Sequence, residues 1–200
     1  MAPPQLSEDE VEDLIYFSRA GDEQELSEML SALVSKATGG DNVLALLASA
    51  KDGGKNTCLH MAAGNGHQGI VKYLLDQVQS QPKEARQVFL DDVNEYGNTA
   101  LHWASMNGHL SVVKLLVDRG ASQALANDKN YLPLDLASFS DKLDVVDYFL
   151  RSSGIWESEN SKSTDAETGV NSSSVDGLSS AAAAIDIDDE ASDDVEGNQK

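Results

Sequence analysis

Apolar residues recur at helical spacing along most of the first 150 positions, and one stretch sets the pattern for the rest. In 110–121, LSVVKLLVDRGA, the apolar positions are Leu110, Val112, Val113, Leu115, Leu116 and Val117. That i, i+3, i+4 stripe predicts a helix with one buried face. Upstream, Gly97-Asn98 signals a turn and Thr99 is a helix N-cap candidate. Gly108-His109 separates the two helices. The unit is therefore a turn, a short helix, a tight connection and a second helix.

The unit repeats. Asn56-Thr57-Cys58-Leu59-His60-Met61-Ala62-Ala63-Gly64-Asn65-Gly66-His67 matches Asn98 to His109 with the same spacing, and Ile70 to Leu75 matches Val112 to Val117. A looser copy runs from Leu132-Pro133-Leu134-Asp135-Leu136-Ala137 to Tyr148-Phe149-Leu150. Ala104 and Ala137 lie 33 residues apart, and Ala62 and Ala104 lie 42 apart, so nine residues are inserted before the third unit. A period near 33 with cores such as Thr99-Ala100-Leu101-His102-Trp103-Ala104 resembles the ankyrin-repeat family.

Further upstream, Ser7 with Glu10 fits a capping box in front of an acidic first turn. Val11, Leu14, Ile15 and Phe17 supply a buried side, Gly21-Asp22 ends that helix, and Leu26, Met29, Leu30 and Leu33 continue a second. Ala20-Gly21-Asp22 overlays Asn107-Gly108-His109, which makes this a degenerate first repeat. Val43 to Ala48 predicts a short apolar helix after the Gly39-Gly40 break. The insertion around 80–87 lengthens a connection, with Pro82 placed to begin a helical turn. In the last unit Leu132 replaces the Thr, Asp135 the His, Asp141 the Gly and Lys142 the next His. Terminal repeats depart from the pattern because one of their faces meets water.

The expected architecture is all-α, an ankyrin-repeat solenoid of about four repeats with degenerate capping repeats and a disordered acidic C-terminal tail. The boundaries read 1–6 as a loose leader and 7–153 as the repeat domain, with repeats at about 7–35, 52–79, 94–121 and 127–150. The tail is 154–200. From Arg151 onward there are twelve acidic residues against three basic ones, and little besides Ile155-Trp156 to bury. Ala181 to Asp189 reads either as solvated tail or as a short segment that docks on a partner.

Charge and composition then narrow the function. A net charge of −20 repels phosphates, so no direct nucleic-acid contact is expected and a basic protein partner is favoured. No apolar run reaches the roughly 18–20 residues of a membrane helix. The acidic N-terminus lacks the basic region of a signal peptide, and the Asn171 sequon carries no weight without one. A lone Cys58 fits a reducing compartment, and the expected localisation is cytoplasmic and nuclear.

No catalytic, cofactor or metal site is expected. His60, His67, His102 and His109 occupy equivalent repeat positions with no Cys or carboxylate at ligand spacing. Cys58 lacks an orienting partner group, and neither G-x-S-x-G nor a phosphate loop is present. Resemblance to ankyrin repeats implies that the helix-start His and the N-cap Thr tie adjacent repeats together.

The same resemblance implies a concave recognition face made of finger tips and first helices. By motif spacing its candidate residues are Asn56 and Asn65; Glu95, Tyr96, Asn98, Met106 and Asn107; and Asp128, Tyr131 and Phe139. Trp103 reads equally as recognition or inter-repeat packing. Asp91 and Asp92 add negative charge nearby, and Glu8 to Asp13 add more.

The capping first repeat, the insertion before Asn94 and the acidic tail resemble the fungal ankyrin-repeat chaperones of a small-subunit ribosomal protein. The resemblance covers about residues 10–150 and is strongest over 97–116. It implies a monomeric, non-enzymatic chaperone whose client is the basic N-terminal region of a KH-domain ribosomal protein. The alternative is a regulatory inhibitor or adaptor that masks a transcription or signalling protein; a scaffold joining several complexes is a further reading.

Overall fold

A computed structural model of the protein describes residues 6–36 and 43–152. The readings made above for 1–5, Gly39-Gly40 and the tail, with its sequon and its 181–189 segment, lie outside the described residues. Within them the chain is helical, without a strand beyond one isolated bridge between Lys51 and Thr57.

The first repeat pairs α1 (Glu8–Ala20) with α2 (Glu23–Lys36). Ser7 accepts from the Glu10 amide at 3.2 Å, while the Glu10 carboxylate accepts from the Ser7 amide at 3.0 Å, so the capping box reads through from sequence to structure. Leu14, Ile15 and Ser18 are buried, and Val11 and Phe17 pack at the margin. After α3 (Val43–Ser49), the second repeat pairs α4 (Cys58–Gly64) with α5 (Gln68–Gln77). Next come α6 (Lys83–Leu90), the pair α7 (Ala100–Asn107) and α8 (Leu110–Asp118), and the pair α9 (Pro133–Phe139) and α10 (Leu143–Ser152).

First helices stack on first helices, in the order α1, α4, α7, α9; α5 packs on α8 and α8 on α10. The core between the two layers is aliphatic, with Leu14, Leu59, Ile70, Leu74, Leu101 and Leu116 among its fully buried side chains. Burying each contributes roughly 1.5–3 kcal/mol relative to exposure.

The insertion is more ordered than its sequence suggests. It forms the helix α6, begun by Pro82 (φ −52°) and anchored by buried Phe89 and Leu90. It also reaches across to the next repeat. Gln87 Nε2 donates to the Gly120 carbonyl at 2.9 Å, and Asp91 accepts from the Ser122 amide at 2.9 Å.

Polar stitching between repeats follows one scheme. Thr57 caps α4 and its amide donates to Nδ1 of His60 at 3.2 Å, which leaves Nε2–H to donate to the Asn98 carbonyl of the next repeat at 2.9 Å. Thr99 and His102 repeat the arrangement, with His102 Nε2 donating to the Tyr131 carbonyl at 3.1 Å. The second His of each motif points the other way along the stack. His67 donates to the Arg19 carbonyl at 2.9 Å and His109 to the Gly64 carbonyl at 3.0 Å. Each of these rings also lies against the preceding repeat's left-handed glycine: His67 on Gly21 (φ 91°) and His109 on Gly66 (φ 78°). All four histidines thus serve the scaffold: the resemblance implies this for the helix-start His60 and His102, and the structure adds His67 and His109.

The last repeat shows why its motif differs. Asp135 accepts from the Leu132 amide at 2.8 Å, filling the role of the helix-start histidine toward its own cap. No described repeat follows that would need a forward-pointing N–H donor, so a carboxylate serves.

Two predictions follow from this stitching. His60 and His102 are buried, and burial lowers both below the ordinary value of 6.5. Their neutral form is the folded one, so stability is fully present above about pH 6.5 and declines as pH falls toward the lowered folded values. Urea unfolding between pH 7.5 and 5.5 should therefore show falling stability, and a His102→Gln variant should show a shallower fall. Lys55 holds φ 60° at the finger position where Gly97 holds 72°. Lys55→Gly should raise stability by about 1 kcal/mol, read as a higher urea midpoint.

Candidate protein-binding surface

Three fingers project beside the first helices, and each is built on one side chain. Asp52 accepts from the amides of Gly54 and Asn56, Asn94 from those of Tyr96 and Asn98, and Asn127 from those of Lys129 and Tyr131. An amide ladder joins them: Asn94 Nδ2 donates to Asn56 Oδ1 and Asn127 Nδ2 to Asn98 Oδ1, both at 2.8 Å. Backbone bonds reinforce it, from the Glu95 amide to the Gly54 carbonyl at 3.0 Å and from the Asp128 amide to the Tyr96 carbonyl at 3.1 Å.

This geometry separates the thirteen candidate residues into two groups. Asn56 and Asn98 are rungs of the ladder. Asp91 accepts from Gln87 and from the Ser122 amide, and Asp92 pairs with Lys51 at 2.7 Å. Asn107 donates to the Gly64 carbonyl at 2.6 Å, and Asn65 to that of Met61 at 2.8 Å. Trp103 packs on Gly64, since a methyl group there would lie 2.6 Å from its Cε3. These side chains work inside the scaffold, although Asn65 and Asn107 also meet solvent. Glu95, Tyr96, Asp128, Tyr131 and Phe139 are exposed, and Met106 is half-buried. Tyr131 and Phe139 meet edge-to-face at 5.1 Å, so they present one aromatic unit. A hydrogen bond and the negative charge of Glu95 raise the Tyr96 hydroxyl above its ordinary value, which keeps it a neutral donor.

At the α1 end the sequence showed the acidic run Glu8 to Asp13 but not the apolar groups beside it. Tyr16 is half exposed there, and Leu6, Val11 and Gly53 line a depression beside it. The signal was present: Tyr16 falls off the stripe of Leu14, Ile15 and Ser18, yet is aromatic.

Cys58 is buried, and burial pushes its thiol up to about 11, which removes the thiolate a nucleophile needs. Among the described residues no group of three His, Cys, Asp or Glu side chains is placed to hold a metal ion, and no helix is long and apolar enough to cross a membrane.

A solenoid of stacked helix pairs with finger turns and Thr–His caps defines a helical repeat protein. A family model for ankyrin repeats (3 copies) matches residues 9–124 and 83–160. The chain belongs to the ankyrin-repeat family. Over 94 residues it is 36% identical to the Ankyrin repeat-containing protein YAR1 of Saccharomyces cerevisiae, a match covering 46% of this chain and 43% of that protein's length. It also matches a chain in the crystal structure of the yeast ribosomal protein Rps3 in complex with its chaperone Yar1. There the TM-score is 0.67 and the identity 38%, over 74% of this chain and 95% of the other.

Because the Trp103 ring rests on Gly64, Gly64→Ala should force two repeats apart. We expect a loss of about 1–3 kcal/mol in urea unfolding, with helical content retained.

Proposed function

We propose that this chain is a dedicated, non-enzymatic chaperone that binds a newly made KH-domain ribosomal protein of the small subunit, shields it, and releases it into assembly. The observation that carries the reading is the 38% identity over 95% of a chain from a chaperone complex with Rps3. A client on its way to the ribosome would be met in the cytoplasm and the nucleus, and we place the chaperone in both.

The physical logic is that of charge masking. A ribosomal protein carries basic surface meant for RNA, and a chain of net charge −20 offers that surface a soluble counterpart. Glu95 and Asp128 stand exposed on neighbouring fingers beside Tyr96 and the Tyr131–Phe139 pair. Carboxylates there steer the client in, and the aromatic groups supply contact area that salt does not screen.

The reading is tested by titrating the purified KH-domain ribosomal protein into the chain at rising salt. Affinity should fall steeply between 50 and 300 mM salt and level off at a salt-resistant remainder. Tyr96→Ala should weaken binding about tenfold, equivalent to about 1.4 kcal/mol. Glu95→Lys with Asp128→Lys should slow association chiefly. Specific capture of transcription or signalling proteins, with no binding of the ribosomal protein, would assign the chain to the adaptor class instead.

A further inference from the structure

The depression at the α1 end is a groove of about 540 Å³ between α1 and the finger of the second repeat. Its deep side is apolar: Ile15 is nearly buried, Leu6 and Val11 are half-buried, and Tyr16 stands half exposed at its edge. Glu8, Glu12 and Asp52 line the same opening. Among the described residues Glu8 and Glu12 enter no ion pair. Of the two cations present, Lys51 is held by Asp92 at 2.7 Å, which leaves Arg19 against three carboxylates. The opening is therefore apolar in depth and negative at the rim.

We infer that this groove is an anchoring site for one large apolar side chain on a basic segment of the client, flanked by lysine or arginine within about one helical turn. A purely charged arm would leave the apolar floor unfilled, and a purely apolar segment would leave the excess of carboxylate over Arg19 without counter-charge. The inference rests on the reading of this chain as a shield for a basic protein. It adds a specific pocket, at the opposite end of the stack from the Tyr131–Phe139 pair.

Gly53 provides a clean test. It lines the groove, a Cβ added there meets nothing within 4 Å, and its φ is not positive. Gly53→Trp should thus plug the groove and leave the thermal unfolding midpoint unchanged. Two probes would be titrated into the full-length chain. One is a fluorescent 16-residue peptide with one central Phe flanked by Lys and Arg, together with its Phe→Ser counterpart. The other is the purified KH-domain ribosomal protein.

The expected result is at least tenfold weaker binding of the Phe peptide than its parent level in both Gly53→Trp and Tyr16→Ala, and a similar loss on Phe→Ser in the unaltered chain. The ribosomal protein should weaken in parallel. Equal binding of the two peptides, or indifference of both probes to Gly53→Trp, would overturn the groove and leave the chaperone reading standing on the ribosomal protein's own affinity. Phe-dependent peptide binding without any ribosomal-protein binding would keep the groove and remove that client. If deleting residues 1–5 were required before the peptide bound, the chain's own leader would be the occupant and the inference would fail.

Discussion

The histidine rings that cross from one repeat to the next are the interaction on which the rest depends. An isolated helix pair of this length buries too little to stand alone. Each first-helix histidine satisfies its own helix start through Nδ1 and the next finger through Nε2. The capping bond is buried, so removing a ring leaves the Thr57 or Thr99 amide unpaired at about 1–3 kcal/mol, while the finger carbonyl loses its tie to the preceding helix and keeps the bond from its own finger's amide. The finger carbonyl of Asn98 or Tyr131 takes the Nε2 bond beside the one from its own finger's amide, so the ring ties each finger of the candidate surface to the preceding first helix. Stability and recognition geometry are set by the same atoms.

This dependence explains why so many polar residues near the surface are unavailable to a partner. The Asn56–Asn94 and Asn98–Asn127 rungs hold the fingers in register, and Asp91 and Asp92 hold the insertion helix and Lys51. What remains free projects beyond this framework: Glu95, Tyr96, Asp128, Tyr131 and Phe139. A rigid scaffold carrying a few exposed aromatic and acidic groups loses little side-chain freedom when a partner docks on them.

Much of the fold was legible because its signals are periodic. The 33-residue spacing, the Thr caps and the aliphatic stripes each predict local structure that the packing then agrees with. The Ser7–Glu10 box was readable for the same reason, and the resemblance implied the tie made by His60 and His102; the backward contacts of His67 and His109 came from the structure. The candidate surface was read less well. Repeat spacing locates finger tips but does not say which side chains turn inward, and asparagine serves equally as a rung and as a contact. The α6 helix was under-read because Pro82 marks a start while its stabilising partners, Gly120 and Ser122, lie more than 30 residues away. Tyr16 was harder to read because α1 carries no repeat motif that would mark its exposed face.

A client lying across the fingers and the first helices would leave its print in hydrogen–deuterium exchange of the full chain, measured free and with the KH-domain ribosomal protein. Exchange should slow at the three finger turns and along α1, with α6 and the α5–α8 side unchanged. Protection confined to α6 and the second helices, with the fingers exchanging as in the free chain, would contradict that placement.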